Sequence, residues 1–342
     1  MIYFDSDYMV GAHPQVLKRL VETNSLHTSA YGTDQYTAEA GRIILDACGL
    51  PDGEVYFFEG GTAANATVVD RLLGLNDGVI ATDTAHINVH EAGAVESNGH
   101  KILTVPNKDG KLTADQVRKM VVDFFSDDTH FYMVRPAMVY ISHPTELGTI
   151  YTKDELTQLR AVCDEFQLPL YIDGARLAYG LEADGADLDL KDIAALSDVF
   201  YIGGTKCGAL FGEAVVTGNP HTLPRFSSVI KLHGAMLAKS RLLGVQFMTL
   251  FSDNLYWEIG KHAIAMAMKL KKAFVDKGYK PMIDSPTNQQ FFVLPNDKIE
   301  QLKQKGISFE LWGSPGATET AVRFVTDWAT TDADIDALTS AL

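Results

Sequence analysis

The sequence predicts an α/β fold with a mostly parallel central sheet, and two patterns indicate it. Short apolar runs rich in Val, Ile, Phe and Tyr alternate with helical segments along most of the chain. Such alternation is typical of a parallel sheet that is covered by helices on both faces. After the last of these runs, the chain changes to a long helical stretch and then to a short α+β region. We therefore expect a large domain over residues 1–240 and a smaller α+β domain over residues 241–342.

Apolar periodicity and capping residues define the predicted elements of the large domain. A helix over residues 13–23 has Pro14 in its first turn, and a helix over 113–125 has Thr113 as its N-cap. The other helices are predicted over 34–50, 63–73 and 152–166. The strands are predicted at 54–58, 78–81, 101–105, 138–142, 168–172, 198–202 and 212–216.

The C-terminal region is predicted from the same signals. Residues 240–275 have a helical pattern that is interrupted near Ser252 and Asp253. Strands are expected at 290–294 and 320–325, and a closing helix at 332–342.

The composition restricts the class of protein. Hydrophobic residues make up 46% and charged residues 21% of the 342 residues, which is ordinary for a globular protein. The net charge of -15 argues against binding to nucleic acid. Three scattered cysteines suit neither a disulfide framework nor a zinc site. The N-terminus lacks the features of a signal peptide, and no apolar run approaches the roughly 18 residues of a membrane span. We expect a cytoplasmic protein with no nucleic-acid or membrane partner.

A lysine and an aspartate follow two of the predicted strands. Asp173 ends the apolar run 170–172, and Lys206 lies in the glycine cluster 203–208. Both can face one crevice, because the C-terminal ends of parallel strands meet at the same edge of a sheet. Enzymes that use pyridoxal 5'-phosphate (PLP) need such a pair: the lysine forms a Schiff base, and the aspartate keeps the pyridine nitrogen protonated. Each residue alone is common in loops, but the pair favours a PLP site.

A glycine turn at Gly60, Gly61 and Thr62 joins the strand 54–58 to the next helix. Glycines let the backbone approach a ligand, and free N–H groups at a helix start bind anions. The sequence is neither a Walker loop nor a dinucleotide fingerprint. The turn therefore suits a cofactor phosphate, and a tight turn capped by Thr62 is the alternative.

Two histidines and a cysteine need separate interpretation. His86 follows the strand 78–81, where its ring can stack on a planar cofactor. His86 and His90 have the spacing of a zinc-binding helix, but Glu91 does not lie between them, so no metal site is expected. Cys207 follows Lys206, but no histidine is near it in sequence and it is not expected to be a nucleophile.

In their order along the chain, these motifs resemble the threonine aldolase family, which belongs to the aldolase and β-eliminating lyase group of PLP enzymes. That group has the aspartate-aminotransferase fold, called fold type I. The resemblance covers nearly the whole chain. It is carried by the segments 4–7, 30–34, 60–65, 85–87, 91–93, 173–176, 204–206 and 322–326.

The resemblance implies roles for individual residues. Lys206 is the Schiff-base lysine, Asp173 the partner of the pyridine nitrogen, and His86 the residue that stacks on the ring near the substrate hydroxyl. The residues implied to contact the cofactor are Gly60, Gly61, Thr62, His86, Asp173, Arg176, Thr205, Lys206, Lys231 and Lys239. The substrate carboxylate is assigned to Ser6, Arg176 and Arg323, since the planar guanidinium binds carboxylates bidentately.

Two departures from the family pattern affect these assignments. Gly60 stands where the family often has serine, and the segment 144–148 replaces an Asn/Thr-rich loop over the cofactor. The basic segment 225–241 corresponds to one that reaches the phosphate of a neighbouring subunit, so Lys231 or Lys239 takes that role. The resemblance thereby implies a homodimer or homotetramer.

The implied reaction is the cleavage of β-hydroxy amino acids such as L-threonine or L-allo-threonine, with low specificity, to glycine and an aldehyde. His86 is then the candidate base for the substrate hydroxyl. One alternative is β-elimination from cysteine, serine or an aromatic amino acid, with Lys206 as the base at Cα. A second is a PLP-binding protein without turnover, against which the intact set of Lys206, Asp173 and Arg176 argues.

Overall fold

The computed structural model describes residues 1–342. Its strands are β1 (Ile2–Tyr3), β2 (Glu54–Phe58), β3 (Asp77–Thr82), β4 (Lys101–Val105), β5 (Arg135–Ser142), β6 (Leu170–Asp173), β7 (Val199–Gly203), β8 (Glu213–Thr217), β9 (Gln289–Pro295), β10 (Ile307–Ser308), β11 (Glu310–Leu311) and β12 (Glu319–Val325). Its helices are α1 (Pro14–Thr23), α2 (Gln35–Cys48), α3 (Gly61–Leu72), α4 (His86–Val89), α5 (Ala94–Ser97), α6 (Ala114–Ser126), α7 (Lys153–Phe166), α8 (Leu177–Leu181), α9 (Leu190–Ala195), α10 (Phe226–Leu232), α11 (Arg241–Phe251), α12 (Leu255–Asp276), α13 (Asn296–Gln304) and α14 (Asp332–Ala341).

The central sheet has seven strands in the order β2-β8-β7-β6-β5-β3-β4. Strands β3, β4, β5, β6 and β7 are parallel to one another, and β8 is antiparallel to both β7 and β2. Consequently β2 runs in the same direction as the five parallel strands, and its C-terminal end lies at the same edge. The predicted α/β class with a mostly parallel sheet is confirmed.

Alternating side chains on the strands form two cores, one on each face of the sheet. Ile172 and Phe200 point into the core that is covered by α2, α7 and α11. Tyr171, Tyr201 and Val215 point into the opposite core, which is covered by α3 and α10. Strands buried on both faces have few polar positions, which explains why apolar runs located them in the sequence.

Most predicted elements are present with small shifts of their ends. Thr113 caps α6 in a capping box with Gln116, as its position predicts. Strand β5 begins at Arg135, earlier than predicted, because Pro136 still pairs with Gly78 beside a β-bulge. The short helices, among them α4, α5, α8 and α9, were not predicted, since four to six residues are too few to show a helical period.

The long C-terminal helical stretch is broken where the sequence predicts it. Between α11 and α12, residues Ser252–Asn254 form a 3-10 turn in which Asp253 and Asn254 have positive φ values of 52° and 60°. None of the helices combines the length and the apolar character that crossing a membrane requires.

The C-terminal region forms a second layer beside the main sheet. Its antiparallel sheet has the order β11-β12-β9, and β1 pairs in parallel with β10. Phe4 packs here with Phe274 and Phe324, whereas Phe247 and Tyr256 pack in the core of the large domain. The division at residue 240 stays a prediction; in the packing, the N-terminal strand joins the small core, and α11 with the start of α12 joins the large one.

Candidate active site

A cavity of about 290 Å³ lies at the carboxyl edge of the central sheet, against the second layer. It brings together four residues that the sequence analysis selected: His86, Arg176, Lys206 and Arg323. Its other lining residues are Tyr8, His90, Glu146, Gln289, Glu310 and Trp312. A space of this size, with cations, an imidazole and a primary amine on its walls, suits a small charged ligand.

Lys206 enters the cavity from a turn that follows β7. The turn requires glycine, because a Cβ atom on Gly203 would lie 2.2 Å from the Ala175 carbonyl oxygen, and one on Gly204 would lie 2.6 Å from the Gly212 oxygen. The Lys206 amine has no hydrogen-bond or ion-pair partner and lies 6.0 Å from the ring centre of Tyr8. Burial, with the nearby Arg176 charge, holds the pKa of Lys206 below its ordinary value. A larger fraction of the amine is therefore neutral and nucleophilic at neutral pH.

Asp173, at the end of β6, is buried in a shell of hydrogen-bond donors. Its Oδ1 accepts from the Tyr201 hydroxyl at 2.5 Å, and its Oδ2 accepts from the Tyr140 hydroxyl at 2.6 Å and the Asn65 amide at 3.0 Å. Burial opposes the charge, but His86 and these donors outweigh it and hold the pKa of Asp173 below its ordinary value. The site thus contains a carboxylate that stays ionised although it is 3% exposed.

His86, the first residue of α4, is fixed on both sides. Its Nδ1 lies 2.7 Å from Oε1 of Glu91, which also accepts from the Asn65 amide at 2.7 Å. Its backbone N–H donates to Glu146 at 2.9 Å. Because a carboxylate only accepts, Nδ1 carries the proton, and Nε2 is left as the second functional nitrogen of the ring. The Asn65 amide donates to both Glu91 and Asp173 and so links the His86–Glu91 pair to Asp173. One side-chain nitrogen or oxygen atom from each of His86, Glu91 and Asp173 lies within 4.8 Å of the other two.

Glu146 and His90 line the cavity beside His86. Burial raises the pKa of Glu146, whose Oε1 accepts from the Ser142 hydroxyl at 2.6 Å. The ring centre of His90 is 5.6 Å from that of His86. Burial and the neighbouring His86 lower the pKa of His90, which favours its neutral form.

Arg176 is held by Asp7 in a bidentate pair. Its Nε and Nη2 donate to the two Asp7 oxygens at 2.7 and 3.0 Å, and Asn288 donates to Asp7 at 2.9 Å. Although burial opposes it, the charge of Arg176 holds the pKa of Asp7 below its ordinary value. The Ser6 hydroxyl is buried, contacts Asp7 at 3.5 Å and does not line the cavity. Both N–H groups of Nη1 and the second N–H group of Nη2 therefore remain for a ligand.

Arg323, in the middle of β12, is also paired. Nη1 donates to Gln289 at 2.8 Å, and Nη2 contacts the carboxylate of Glu310. Its Nε is buried without a partner, and the guanidinium lies 5.1 Å from the ring centre of Trp312. The Glu310 side chain is 47% exposed and belongs to a strand of two residues. This acid is consequently much easier to displace than Asp7.

The turn at Gly60, Gly61 and Thr62 begins α3, and Gly60 has no side-chain cap. The first N–H groups of the helix are thus available to an anion. A Cβ atom on Gly61 would lie 2.9 Å from the Tyr201 hydroxyl oxygen, so glycine keeps this approach open beside Asp173. Thr205 lies on the Lys206 turn and accepts from the Gly212 N–H at 2.9 Å.

Lys231 and Lys239 are exposed and do not line the cavity within this chain. Lys231 closes helix α10 and lies 4.7 Å from the ring centre of Tyr31. Both side chains therefore lie on the surface of the single chain.

Sequence reasoning missed the acids that surround the site. The contacts of Glu146 with His86, of Glu310 with Arg323 and of Asp7 with Arg176 join residues that are 60, 13 and 169 positions apart. Asp7 was within reach, since it belongs to the segment 4–7 that carries the family resemblance. Glu310 had no comparable signal, because it lies in a short edge strand that shows no pattern.

A family profile described as "Beta-eliminating lyase" matches residues 4–295. The low specificity L-threonine aldolase of Pseudomonas sp. (strain NCIMB 10558) is 33% identical over 97% of this chain and 94% of the relative. The Saccharomyces cerevisiae protein of the same description is 24% identical over 90% of this chain and 78% of its own length.

Solved structures show the same likeness. A Leishmania major threonine aldolase superimposes with a TM-score of 0.96 and 38% identity, covering 99% of this chain and 98% of that one. A Thermus thermophilus aspartate aminotransferase superimposes with a TM-score of 0.72 at 14% identity, covering 100% of this chain and 92% of that one, and shares the fold.

Proposed function

Because this chain belongs to the β-eliminating lyase family and, within it, to the threonine aldolases, we propose that it cleaves the Cα–Cβ bond of L-threonine, L-allo-threonine and related β-hydroxy amino acids. The products are glycine and an aldehyde, so the chain is a carbon–carbon lyase. The observation that carries the proposal is one cavity that contains a free amine, an oriented imidazole and two guanidinium groups.

PLP is the proposed cofactor, and the residues present fit it. Lys206 offers an unpartnered amine for the aldehyde carbon, and the buried Asp173 carboxylate suits a protonated pyridine nitrogen. The uncapped start of α3 at residues 60–62, with Thr205, suits the phosphate. When bound, PLP supplies the electron sink for the pair that the Cα–Cβ bond releases.

His86 is the proposed base for the substrate hydroxyl. The bond from Nδ1 to Glu91 fixes the plane of the ring and leaves Nε2 as a proton acceptor towards the cavity. Removal of the hydroxyl proton turns the C–O group into an aldehyde as the Cα–Cβ bond breaks, and Cα then gains one proton to give glycine, so that the protons balance. Glu91 stabilises the imidazolium that forms, as a buried carboxylate does beside a charged histidine.

Arg323 is the proposed main ligand of the substrate carboxylate. Its present partner Glu310 is exposed, and an incoming carboxylate replaces it at Nη2 without leaving a buried charge unpaired. Arg176 contributes its free Nη1, while its bond to Asp7 keeps the guanidinium in place. Two guanidinium groups at one end fix the amino acid against the catalytic groups at the other.

Replacing Arg323 by lysine is expected to weaken substrate binding. A lysine keeps the charge but loses the bidentate fit, and a hydrogen bond to a charged group is worth about 1.5–3 kcal/mol, so KM should rise about 10- to 100-fold. Steady-state kinetics with L-threonine measures this, and kcat should change much less than KM. A KM within twofold of the wild-type value would contradict the assignment.

Glu310→Gln is expected to change KM in the opposite direction, because it alters the partner of the Arg323 guanidinium and leaves the arginine in place. It removes the competing carboxylate but keeps the length of the side chain, so KM is expected to fall. A rise in KM equal to that of Arg323→Lys would mean that Glu310 holds Arg323 in its binding position and does not compete with the substrate.

A homo-oligomer, a dimer at least, is proposed as the active form. Lys231 and Lys239 are exposed cations in a chain of net charge -15, and Tyr8, which lines the cavity, is 55% exposed. A second chain can explain both observations if it covers Tyr8 and if Lys231 or Lys239 of one chain reaches the phosphate site of the other. Light scattering of the active protein at micromolar concentration should give at least twice the mass of 37.4 kDa. A fully active monomer would exclude this arrangement.

Product analysis separates aldol cleavage from its alternatives. The PLP-loaded protein is incubated with L-threonine and, separately, with L-cysteine, and aldehyde, glycine, sulfide and pyruvate are measured. Aldehyde and glycine in equal amounts from L-threonine support the proposal. Sulfide and pyruvate from L-cysteine, with no aldehyde from any β-hydroxy amino acid, would instead assign the site to β-elimination. No product from either substrate would assign it to binding alone.

A further inference from the structure

A buried carboxyl group with no part in the mechanism above lies beside the Lys206 turn. Glu213 is the first residue of β8 and is 4% exposed. It pairs with Phe58 of β2 on one side and with Gly203 of β7 on the other. These two strands end in the glycine turn at residues 60–62 and in the Lys206 turn. Glu213 therefore stands between the two segments that are proposed to hold the cofactor.

The side chain of Glu213 is bonded to the Lys206 turn itself. Its Oε2 accepts from the backbone N–H of Gly204 at 3.0 Å. The N–H groups of Gly204 and Thr205 also lie 3.0 Å from the carbonyl oxygen of Gly212, which precedes Glu213. The start of β8 thus supplies both a backbone and a side-chain acceptor to the turn, and these acceptors fix the direction in which Lys206 leaves it.

The charge of Glu213 is linked to that of Lys206. Burial raises the pKa of Glu213 to about 7, while a hydrogen bond with the Thr205 side chain and the charge of Lys206 oppose that rise. Burial and the charge of Arg176 lower the pKa of Lys206, and the charge of Glu213 acts in the opposite direction and raises it. The two groups are electrostatically linked, although no hydrogen bond or ion pair joins them directly.

The other titratable groups facing Glu213 are Asp173, Tyr171, Tyr201, Tyr256 and Cys207. Burial raises the pKa of the three tyrosines and of Cys207, so these four are neutral at pH 7. Asp173 stays ionised. The charge of Glu213 is therefore the one among these six groups that changes near neutral pH.

We propose that Glu213 is a positioning residue for the proposed reaction: it holds the Lys206 turn through Gly204 and, when ionised, favours the protonated form of the Lys206 nitrogen. The inference rests on the proposed function, because it concerns the nitrogen that would bind the cofactor. An uncharged side-chain oxygen would be enough to accept the bond from Gly204. The negative charge of Glu213 additionally extends the pH range over which the Lys206 nitrogen carries a proton.

Glu213→Gln tests the charge separately from the bond. The glutamine oxygen can still accept from Gly204, but the negative charge is lost. Two readouts independent of turnover are used: the pH midpoint of the visible band of the PLP-loaded protein without substrate, and the pH midpoint of the rate at which cofactor-free protein captures added PLP. Both midpoints are expected to fall by about 0.5–1 pH unit, since an ionised neighbour stabilises a protonated nitrogen.

Two further variants complete the test. Glu54→Gln makes the same change on β2, which pairs with the far end of β8, where Glu54 accepts from Tyr56 at 2.6 Å, and it should leave both midpoints unchanged. Glu213→Asp keeps the charge and should stay closer to the wild type than Glu213→Gln. Unchanged midpoints in Glu213→Gln would overturn the inference, as would a Glu213→Asp protein with the larger shift. A wild-type protein that binds no PLP would instead overturn the proposed function.

Discussion

Replacing Lys206 by alanine is expected to lower the rate of aldehyde release from L-threonine by at least about 10³-fold, because the amine is the covalent attachment point of the cofactor. No other amine lines the cavity, so none can take over that task. The measurement is aldehyde production at saturating L-threonine with PLP in excess. Excess PLP matters, since it separates loss of chemistry from loss of cofactor.

Lys261 offers a matched control for that variant. It lies on α12 away from the cavity, its side chain is 69% exposed, and its ion pair with Glu182 is long at 3.9 Å. Lys261→Ala should keep wild-type activity and stability, because exposed ion pairs contribute about 0–1 kcal/mol. If Lys206→Ala retained more than a tenth of the wild-type rate while Lys261→Ala retained all of it, Lys206 would lose its assignment.

Asp173→Asn is expected to keep PLP bound through Lys206 and to lower kcat about 10²- to 10³-fold, the range seen when one preorganised electrostatic group is removed. An amide has no charge with which to keep a proton on a pyridine nitrogen. The amide N–H group also faces a hydroxyl that now donates to Asp173, so a buried bond is lost and the free energy of unfolding should fall by about 1–3 kcal/mol. The visible absorbance, kcat and the unfolding midpoint are measured together.

Tyr140→Phe is the control that keeps the charge and removes one donor. Tyr140 donates to Asp173 at 2.6 Å, and three other donors to that carboxylate remain. Its kcat should fall less than about tenfold, since the carboxylate stays ionised. A kcat near the wild-type value in Asp173→Asn, or a larger loss of kcat in Tyr140→Phe than in Asp173→Asn, would show that the charge of Asp173 is not needed for turnover.

The position of Lys206 and Asp173 was predictable because it follows from strand direction. Apolar runs buried on both faces located β6 and β7 within one or two residues, and parallel strands must end at the same edge. The glycine turn at residues 60–62 was predicted from its residues, but its place at the same edge depends on β8, which pairs antiparallel with both β2 and β7. These features need no knowledge of side-chain packing.

The ion pairs of the site were not predictable, because they depend on how the second layer packs against the sheet. Asp7 reaches Arg176, and Glu310 reaches Arg323, only after the N-terminal segment and β11 have joined that layer. Spacing along the chain has no bearing on such contacts. Glu213 is a similar case: it begins an apolar strand, and its bond to Gly204 requires that β8 run antiparallel beside β7.

The most direct test of the account is to trap the cofactor on the protein and identify the residue that carries it. The protein is loaded with PLP, reduced with borohydride and digested, and the peptides are sequenced by mass spectrometry. We expect one pyridoxyl group per chain, on Lys206, and none after reduction of the Lys206→Ala variant. A label on a different lysine of the wild-type protein, or no stable label at all, would contradict it.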